Sequence, residues 1–224
     1  SKIRVIIFIL IASIYANGQE VKPLFNRERE VKLDDFINLK IFSGIEVKLI
    51  PSEENRLVIS GEDNIRVVVK NRRKTLKIRH SLEHIINPKF TYVEIYHRSL
   101  LDEISLYQGS SLSSDSIFSQ TSISLKVQEG SIMNINFEGE KISSSVTTGG
   151  KLFLSGKVTN HQNIVNSGGA CEAETLITEQ TKVSVTAGGL SYVKASKLIE
   201  ARVTAGGIIR IYLSLIHISE PTRR

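Results

Sequence analysis

Apolar and polar residues alternate along most of this chain, and in its second half the alternation is interrupted at regular intervals by one short phrase. It reads Val146-Thr147-Thr148-Gly149-Gly150, then Val165-Asn166-Ser167-Gly168-Gly169, then Val185-Thr186-Ala187-Gly188-Gly189, then Val203-Thr204-Ala205-Gly206-Gly207. Weaker copies stand earlier, as Leu106-Tyr107-Gln108-Gly109-Ser110 and Val127-Gln128-Glu129-Gly130-Ser131. The leading glycines fall at 109, 130, 149, 168, 188 and 206, so the intervals are 21, 19, 19, 20 and 18. A period near 20 held through six copies marks stacked units, each too small to bury its apolar face without neighbours.

Reading across the copies gives a register. Three places before the glycine stand Leu106, Val127, Val146, Val165, Val185 and Val203. Three places after it stand Leu112, Met133, Leu152, Cys171, Ser191 and Ile209, with Ile135, Leu154, Ala173, Val193 and Ile211 two further on in the last five copies. Strand alternation puts positions two apart on one face, so all three sets are expected to point inward, with the Gly-Gly pair supplying the positive-φ corner. The residue after each leading apolar one then points outward. Tyr107, Gln128, Thr147, Asn166, Thr186 and Thr204 are therefore the candidate ligand face, a row of hydroxyls and amides with Tyr107 at one end as a stacking platform for a sugar ring.

The first half follows the same alternation less regularly. Ile45, Val47 and Leu49 alternate up to Pro51, Leu57 and Ile59 up to Gly61, then Ile65, Val67 and Val69, then Leu76 and Ile78, with Tyr92 to Tyr96 and Ile104 to Leu106 continuing. Asn71-Arg72-Arg73-Lys74 reads as the hairpin turn between two of these runs. Residues 20 to 40 look irregular and polar, with Arg27 to Glu30 a solvated charge run. No helical period appears after the amino-terminal segment. The predicted fold is all-β: a β-solenoid, β-helix-like, with coils of about 20 residues and more irregular, partly antiparallel strands in the first half. A twisted sandwich of consecutive hairpins is the competing architecture.

The run Phe42-Ser43-Gly44-Ile45-Glu46-Val47-Lys48-Leu49, followed by Leu57-Val58-Ile59-Ser60-Gly61-Glu62-Asp63-Asn64 and Thr75-Leu76-Lys77-Ile78, resembles the opening of the putative auto-transporter adhesin, head GIN domain family. The Gly-Gly copies fit it too, and the resemblance spans about residues 36 to 212. It implies an exported envelope protein of a Gram-negative bacterium, a β-helix-like fold, no established enzymatic activity and a role in adhesion.

The ends and the composition set the compartment. Lys2 and Arg4 precede the apolar run Val5 to Ala12, and the small residues Ala16-Asn17-Gly18 follow, which is the layout of a secretory signal peptide over residues 1 to 18. The run is shorter than the roughly 20 apolar residues a membrane span needs. A lead-in segment is expected over 19 to 35, the solenoid domain over 36 to 212, and a non-native tail over 213 to 224, where neither the phrase nor the period returns. Of the formal charge of +6, removing Lys2 and Arg4 takes two, and removing Glu220, Arg223 and Arg224 takes one more, leaving +3. That is too little to argue for nucleic acid. With 41% hydrophobic and 23% charged residues the chain of 224 suits one globular domain, and a single Cys excludes an internal disulfide.

Catalytic and metal-binding patterns are sparse. Cys171 sits in the inward ladder and reads as a buried structural thiol; His80, His84, His97 and His161 lack metal-ligand spacing, His80 and His84 with Glu83 being a weak i, i+4 group that reads as a solvated loop, and His217 lies in the tail. The acidic pairs Asp102-Glu103, Glu138 with Glu140, and Glu172 with Glu174 fall at different register positions, whereas a polysaccharide-cleaving solenoid needs a carboxylate cluster. No catalytic residue, cofactor or metal is expected. The sequence points to a protein of the periplasm, outer cell surface or extracellular space that binds a glycan or a surface protein; the alternative is an envelope scaffold without an extracellular ligand.

Overall fold

The computed structural model describes residues 28–81 and 90–213, so the expected signal segment, His84, His217 and the expected tail beyond Leu213 lie outside the described residues. The chain begins with β1 (Arg29–Lys32), β2 (Asn38–Ile41), β3 (Glu46–Pro51) and β4 (Arg56–Gly61), then a short 3-10 turn at Asn64–Arg66. It continues through β5 (Val67–Arg72), β6 (Thr75–His80), β7 (Thr91–His97), β8 (Glu103–Leu106), β9 (Ser111–Ser114), β10 (Phe118–Ser119) and β11 (Ser122–Val127). The later coils are β12 (Ile132–Val146), β13 (Lys151–Val165), β14 (Ala170–Thr186), β15 (Leu190–Ala195), β16 (Leu198–Thr204) and β17 (Ile208–Leu213).

Strands one period apart pair parallel and in register: Val127 lies beside Val146, Val146 beside Val165, and Val165 beside Val185. That pairing is the solenoid, and it excludes the sandwich of consecutive hairpins. The strands leading into the glycine corners form one stack, which we call the upstream sheet, in the order β5, β6, β2, β8, β11, the second halves of β12 to β14, and β16. The strands leaving the corners form the downstream sheet, in the order β1, β4, β7, β3, β9, the first halves of β12 to β14, β15 and β17. Their inner faces share one core that runs from Leu33 and Phe36 to Val193.

The first half builds the stack out of chain order. The β2 and β3 layer is laid down first, the chain then makes β4 and β5, and only afterwards does it return as β6 and β7 to form the layer beneath. Three antiparallel pairings, β5 on β6, β4 on β7 and β1 on β4, close that end. The expected turn after Asn71 is there, with Arg73 and Lys74 both at positive φ. Two readings need correction. Within the stretch from 20 to 40, expected to be irregular, residues 29 to 32 form β1 and 38 to 40 open β2, because Val31, Leu39 and Ile41 alternate with polar residues over a length too short to register as a run. Ile65, expected inward in a strand, is 79% exposed in the 3-10 turn, and the strand starts only at Val67.

The inward ladder holds through five copies and fails in the sixth. Leu106, Val127, Val146, Val165 and Val185 are fully buried, but Val203 is 49% exposed and Ile211 is 45% exposed. Both lie in β16 and β17, the last rungs, beyond which no described strand stacks to cover them.

Candidate functional site

The five corners from Tyr107 to Gly189 are four-residue turns closed by a hydrogen bond from the fourth residue to the first, as in Gly169 N to Asn166 O at 2.9 Å. The two central residues both have positive φ, here Ser167 at 49° and Gly168 at 72°. Such a turn twists the chain from the upstream to the downstream sheet. The fourth residue matters for a different reason: a Cβ on Gly169 would meet Val146 O at 2.7 Å, so the corner lies too close to the rung below to admit one. Adjacent corners are also tied together, Gly149 N to Ser167 O at 3.2 Å and Gly168 N to Ala187 O at 3.1 Å.

The first residue of each turn is the expected ligand-face residue. Backbone pairing brings Tyr107, Gln128, Thr147, Asn166, Thr186 and Thr204 into one row, since Leu106, Val127, Val146, Val165 and Val185 stand side by side and Thr186 pairs directly with Thr204. Tyr107, Gln128, Thr147, Asn166 and Thr186 are partly exposed and Thr204 is exposed. Thr147 Oγ1 donates to Asn166 Oδ1, which uses one acceptor inside the row.

Tyr107 is not at the end of this row. Phe42 precedes it, because Ile41 pairs with Leu106, and the two rings stack at 4.7 Å with 8° between their planes. Arg79 comes next, since Phe42 N bonds Ile78 O at 3.0 Å. One face of the Tyr107 ring is therefore taken by Phe42. A parallel row one alternation away carries Lys70, Lys77 and Lys40, paired side by side, then Ser105 and Lys126. Glu103 reaches Lys126 at 2.6 Å and Lys40 at 3.5 Å and accepts from Ser105 at 2.8 Å. Burial pushes its carboxyl up, but the Lys126 and Ser105 hydrogen bonds and the two ammonium charges outweigh that and hold it below the ordinary carboxylate value. Between the two rows lies a recess of about 300 Å³ lined by Phe42, Val68, Lys70, Lys77, Arg79 and Gln108.

The sequence missed the first corner of this face. Ser43 (φ 67°) and Gly44 (φ 69°) form the same turn, with Ile41 inward three places before the glycine and Val47 and Leu49 inward after it. A gap of 65 residues separates Gly44 from Gly109. That gap contains the cap strands β4 and β5 and the layer of β6 and β7, so the period is broken although the stacking is not.

The interior holds polar groups that no motif announced. Ser144 Oγ lies 3.0 Å from His161 Nε2 and donates to Asn163 Oδ1 at 2.9 Å, and Asn163 Nδ2 donates to Ser191 Oγ at 2.8 Å. A Ser beside a His suggests a nucleophile and its base. All four side chains are sealed within the stack, and His161 Nδ1 has no partner to orient the ring. Burial drives the His161 pKa down to about 4. Cys171, as expected, is buried, and burial pushes its thiol up to about 12, far from a reactive thiolate. Among the described residues no three of His, Cys, Asp and Glu gather as a metal site. A cavity of about 570 Å³ is bounded by Pro51, His97, Leu100, Ile117, Phe118 and Gln120. There His97 stacks on Phe118 at 5.8 Å, and its Nδ1 is 3.0 Å from Ser99 O.

The family model of the putative auto-transporter adhesin, head GIN domain, matches residues 35–214. The chain belongs to this family. Solved structures of similar fold include a putative adhesin from Bacteroides fragilis, with TM-score 0.74, 14% identity, and 84% of this chain and 97% of that one covered. A second putative adhesin, from Parabacteroides merdae, has TM-score 0.63 and 14% identity, with 87% and 94% covered. A putative lipid binding protein from Parabacteroides distasonis has TM-score 0.60 and 14% identity, with 85% and 98% covered. No curated protein matches the sequence. No described helix is long and apolar enough to cross a membrane.

Proposed function

We propose that this head GIN domain protein is an exported, non-enzymatic adhesin of the cell envelope that binds a glycan along the row from Tyr107 to Thr204. The observation that carries this reading is the in-register stacking of Gln128, Thr147, Asn166, Thr186 and Thr204 at the corners. Parallel strands stand about 4.8 Å apart, so the row presents hydrogen-bonding groups at a constant step, which suits a polymer with a repeating unit. Affinity per site is weak because each exposed hydroxyl exchanges one water contact for one sugar contact, and many sites in line raise it by multivalency. The adhesin names of the family and of two structural neighbours support the role. Export is supported by the charged and then apolar amino-terminal segment. The neighbour named for lipid binding shares the fold at 14% identity, and the row from Gln128 to Thr204 consists of polar residues.

The test is a glycan array probed with the wild-type protein and with Thr147→Ala, Thr186→Ala and Thr204→Ala combined. All three side chains are at least partly exposed, so the triple variant should melt within a few degrees of wild type while losing the array signal. A folded triple variant that binds as well as wild type would exclude this face.

A further inference from the structure

The geometry points to a charged subsite at the capped end of the row: the recess formed by Phe42, Val68, Lys70, Lys77, Arg79 and Gln108 takes an acidic sugar residue, so the polymer held along the row is an anionic polysaccharide. This rests on the glycan reading above and adds the ligand's chemical class. Three features of the recess converge on it.

The first is charge left without a counterion. Lys70 and Lys77 are directly opposed across the antiparallel pair of β5 and β6, and Lys40 stands beside Lys77 on its other side. Like charges in that position repel, with Cβ atoms about 5 Å apart. Lys40 is answered by Glu103, but that carboxylate is already shared with Lys126 and Ser105. Among the described residues Lys70 and Lys77 make no ion pair, and the Arg79 guanidinium bonds only the His80 carbonyl, at 2.9 Å. Edge protection explains part of this, because β5 is the outer strand of its stack and lysine guards such edges. It does not explain Lys77 and Arg79, which lie on β6, inside the sheet.

The second feature is the aromatic wall. Phe42 lies between Tyr107 and Arg79 in the row, and the Tyr107 stack holds its ring in place. An aromatic side chain fixed beside cations matches a pyranose ring, with C–H groups toward the ring and a carboxylate or sulfate toward the ammonium groups. A bare phosphate would leave that wall unused. The third feature is continuity. Arg79, Phe42, Tyr107, Gln128, Thr147, Asn166, Thr186 and Thr204 form one row of eight, which at the strand spacing is about 34 Å long. A chain lying along it reaches the recess without a turn.

Binding would be measured by calorimetry with polygalacturonate, dextran sulfate and neutral dextran, on wild type, on Lys70→Gln combined with Lys77→Gln, and on the triple threonine variant. Wild type is expected to prefer the two acidic polymers and to lose that preference as salt is raised. The lysine variant should weaken acidic-polymer binding by about tenfold or more, as expected for loss of two charge-assisted contacts. Its melting temperature should be equal or higher, because the opposed charges are gone. Acidic polymers bound no better than neutral dextran, or bound equally by the lysine variant, would overturn the subsite. If the triple threonine variant keeps polygalacturonate binding while the lysine variant loses it, the subsite stands and the row reading fails. Loss only in the threonine variant, with neutral glycan binding untouched by the lysine changes, keeps the row and removes the subsite. Equal binding of a short DNA duplex or of phosphatidylglycerol vesicles would show a general anion surface and overturn the sugar assignment.

Discussion

His161 shows how a single residue in the stack makes stability depend on pH. Its ring is buried with Nε2 against Ser144 Oγ, and burial lowers its pKa from 6.5 to about 4. The unfolded chain therefore binds a proton between those values that the folded chain refuses. Stability is fully present above about 6.5 and is lost as the pH falls toward 4. Relative to His161→Gln, which has nothing to protonate, wild type should lose about 2 kcal/mol between pH 7 and pH 5. Urea midpoints at the two pH values measure this, and His97, also held below its ordinary value by burial, is common to both proteins and cancels. Parallel loss in the two proteins would mean the ring is accessible. What the sequence disclosed at this scale was the apolar ladder, because a Val repeated three places before each glycine has one physical use. It did not disclose Ser144, His161 and Asn163, which occupy inward positions where the alternation leads one to expect an apolar residue. Nor could it disclose that Phe42 covers Tyr107, since that contact joins residues 65 apart.

The element that repeats is the corner, and its two glycines do different work. The leading one, such as Gly168, adopts φ of 72° with nothing near its missing Cβ, while at Gly150 and Gly169 a Cβ on the second would strike the carbonyl of the rung below. The residue before the leading glycine also has positive φ, and in the last two copies it is Ala187 at 47° and Ala205 at 54°. Alanine is poorly suited to that region, whereas Asn is tolerated and Asn-Gly is the favoured pair for a turn of this type. Ala187→Asn should therefore stabilise the protein by about 0.5–1 kcal/mol, and Gly169→Ala should destabilise it by at least about 2 kcal/mol, both read from urea denaturation. A neutral Gly169→Ala would mean that neighbouring coils are farther apart than the 2.7 Å approach to Val146 O implies. The six periodic corners were legible because their spacing is set by the coil itself. The seventh, at Ser43-Gly44, was hidden by the insertion of two cap strands and a layer between it and the next. The short edge strand β1 was hidden too, because four residues with one clear apolar member carry almost no periodic signal.

At the scale of the whole molecule the solenoid is asymmetric, and the asymmetry predicts where it opens. In a stack each coil contacts only its neighbours, so stability is close to a sum of coil and interface terms and a terminal coil lacks one interface. The end at β6 and β7 is closed by antiparallel β5, β4 and β1, with Leu57, Ile59 and Val67 buried beneath them. At the other end Leu198, Val203, Ile208 and Ile211 are each close to half exposed, and β16 and β17 have described partners on one side only. Apolar burial is worth about 25 cal/mol per Å², so within the described residues the coil of β16 and β17 gains less from burial than the inner ones. Hydrogen exchange should then show a gradient: amides of β16 and β17 exchange first, by local opening, while those of β12, β13 and the first half of β14 exchange only with global unfolding. The cap strands should protect β6 and β7 nearly as well as the inner coils. Equal protection of β16 and β13 would mean that the exposed rung is covered in solution, and loss of protection first at β6 and β7 would show that the antiparallel strands do not act as a cap.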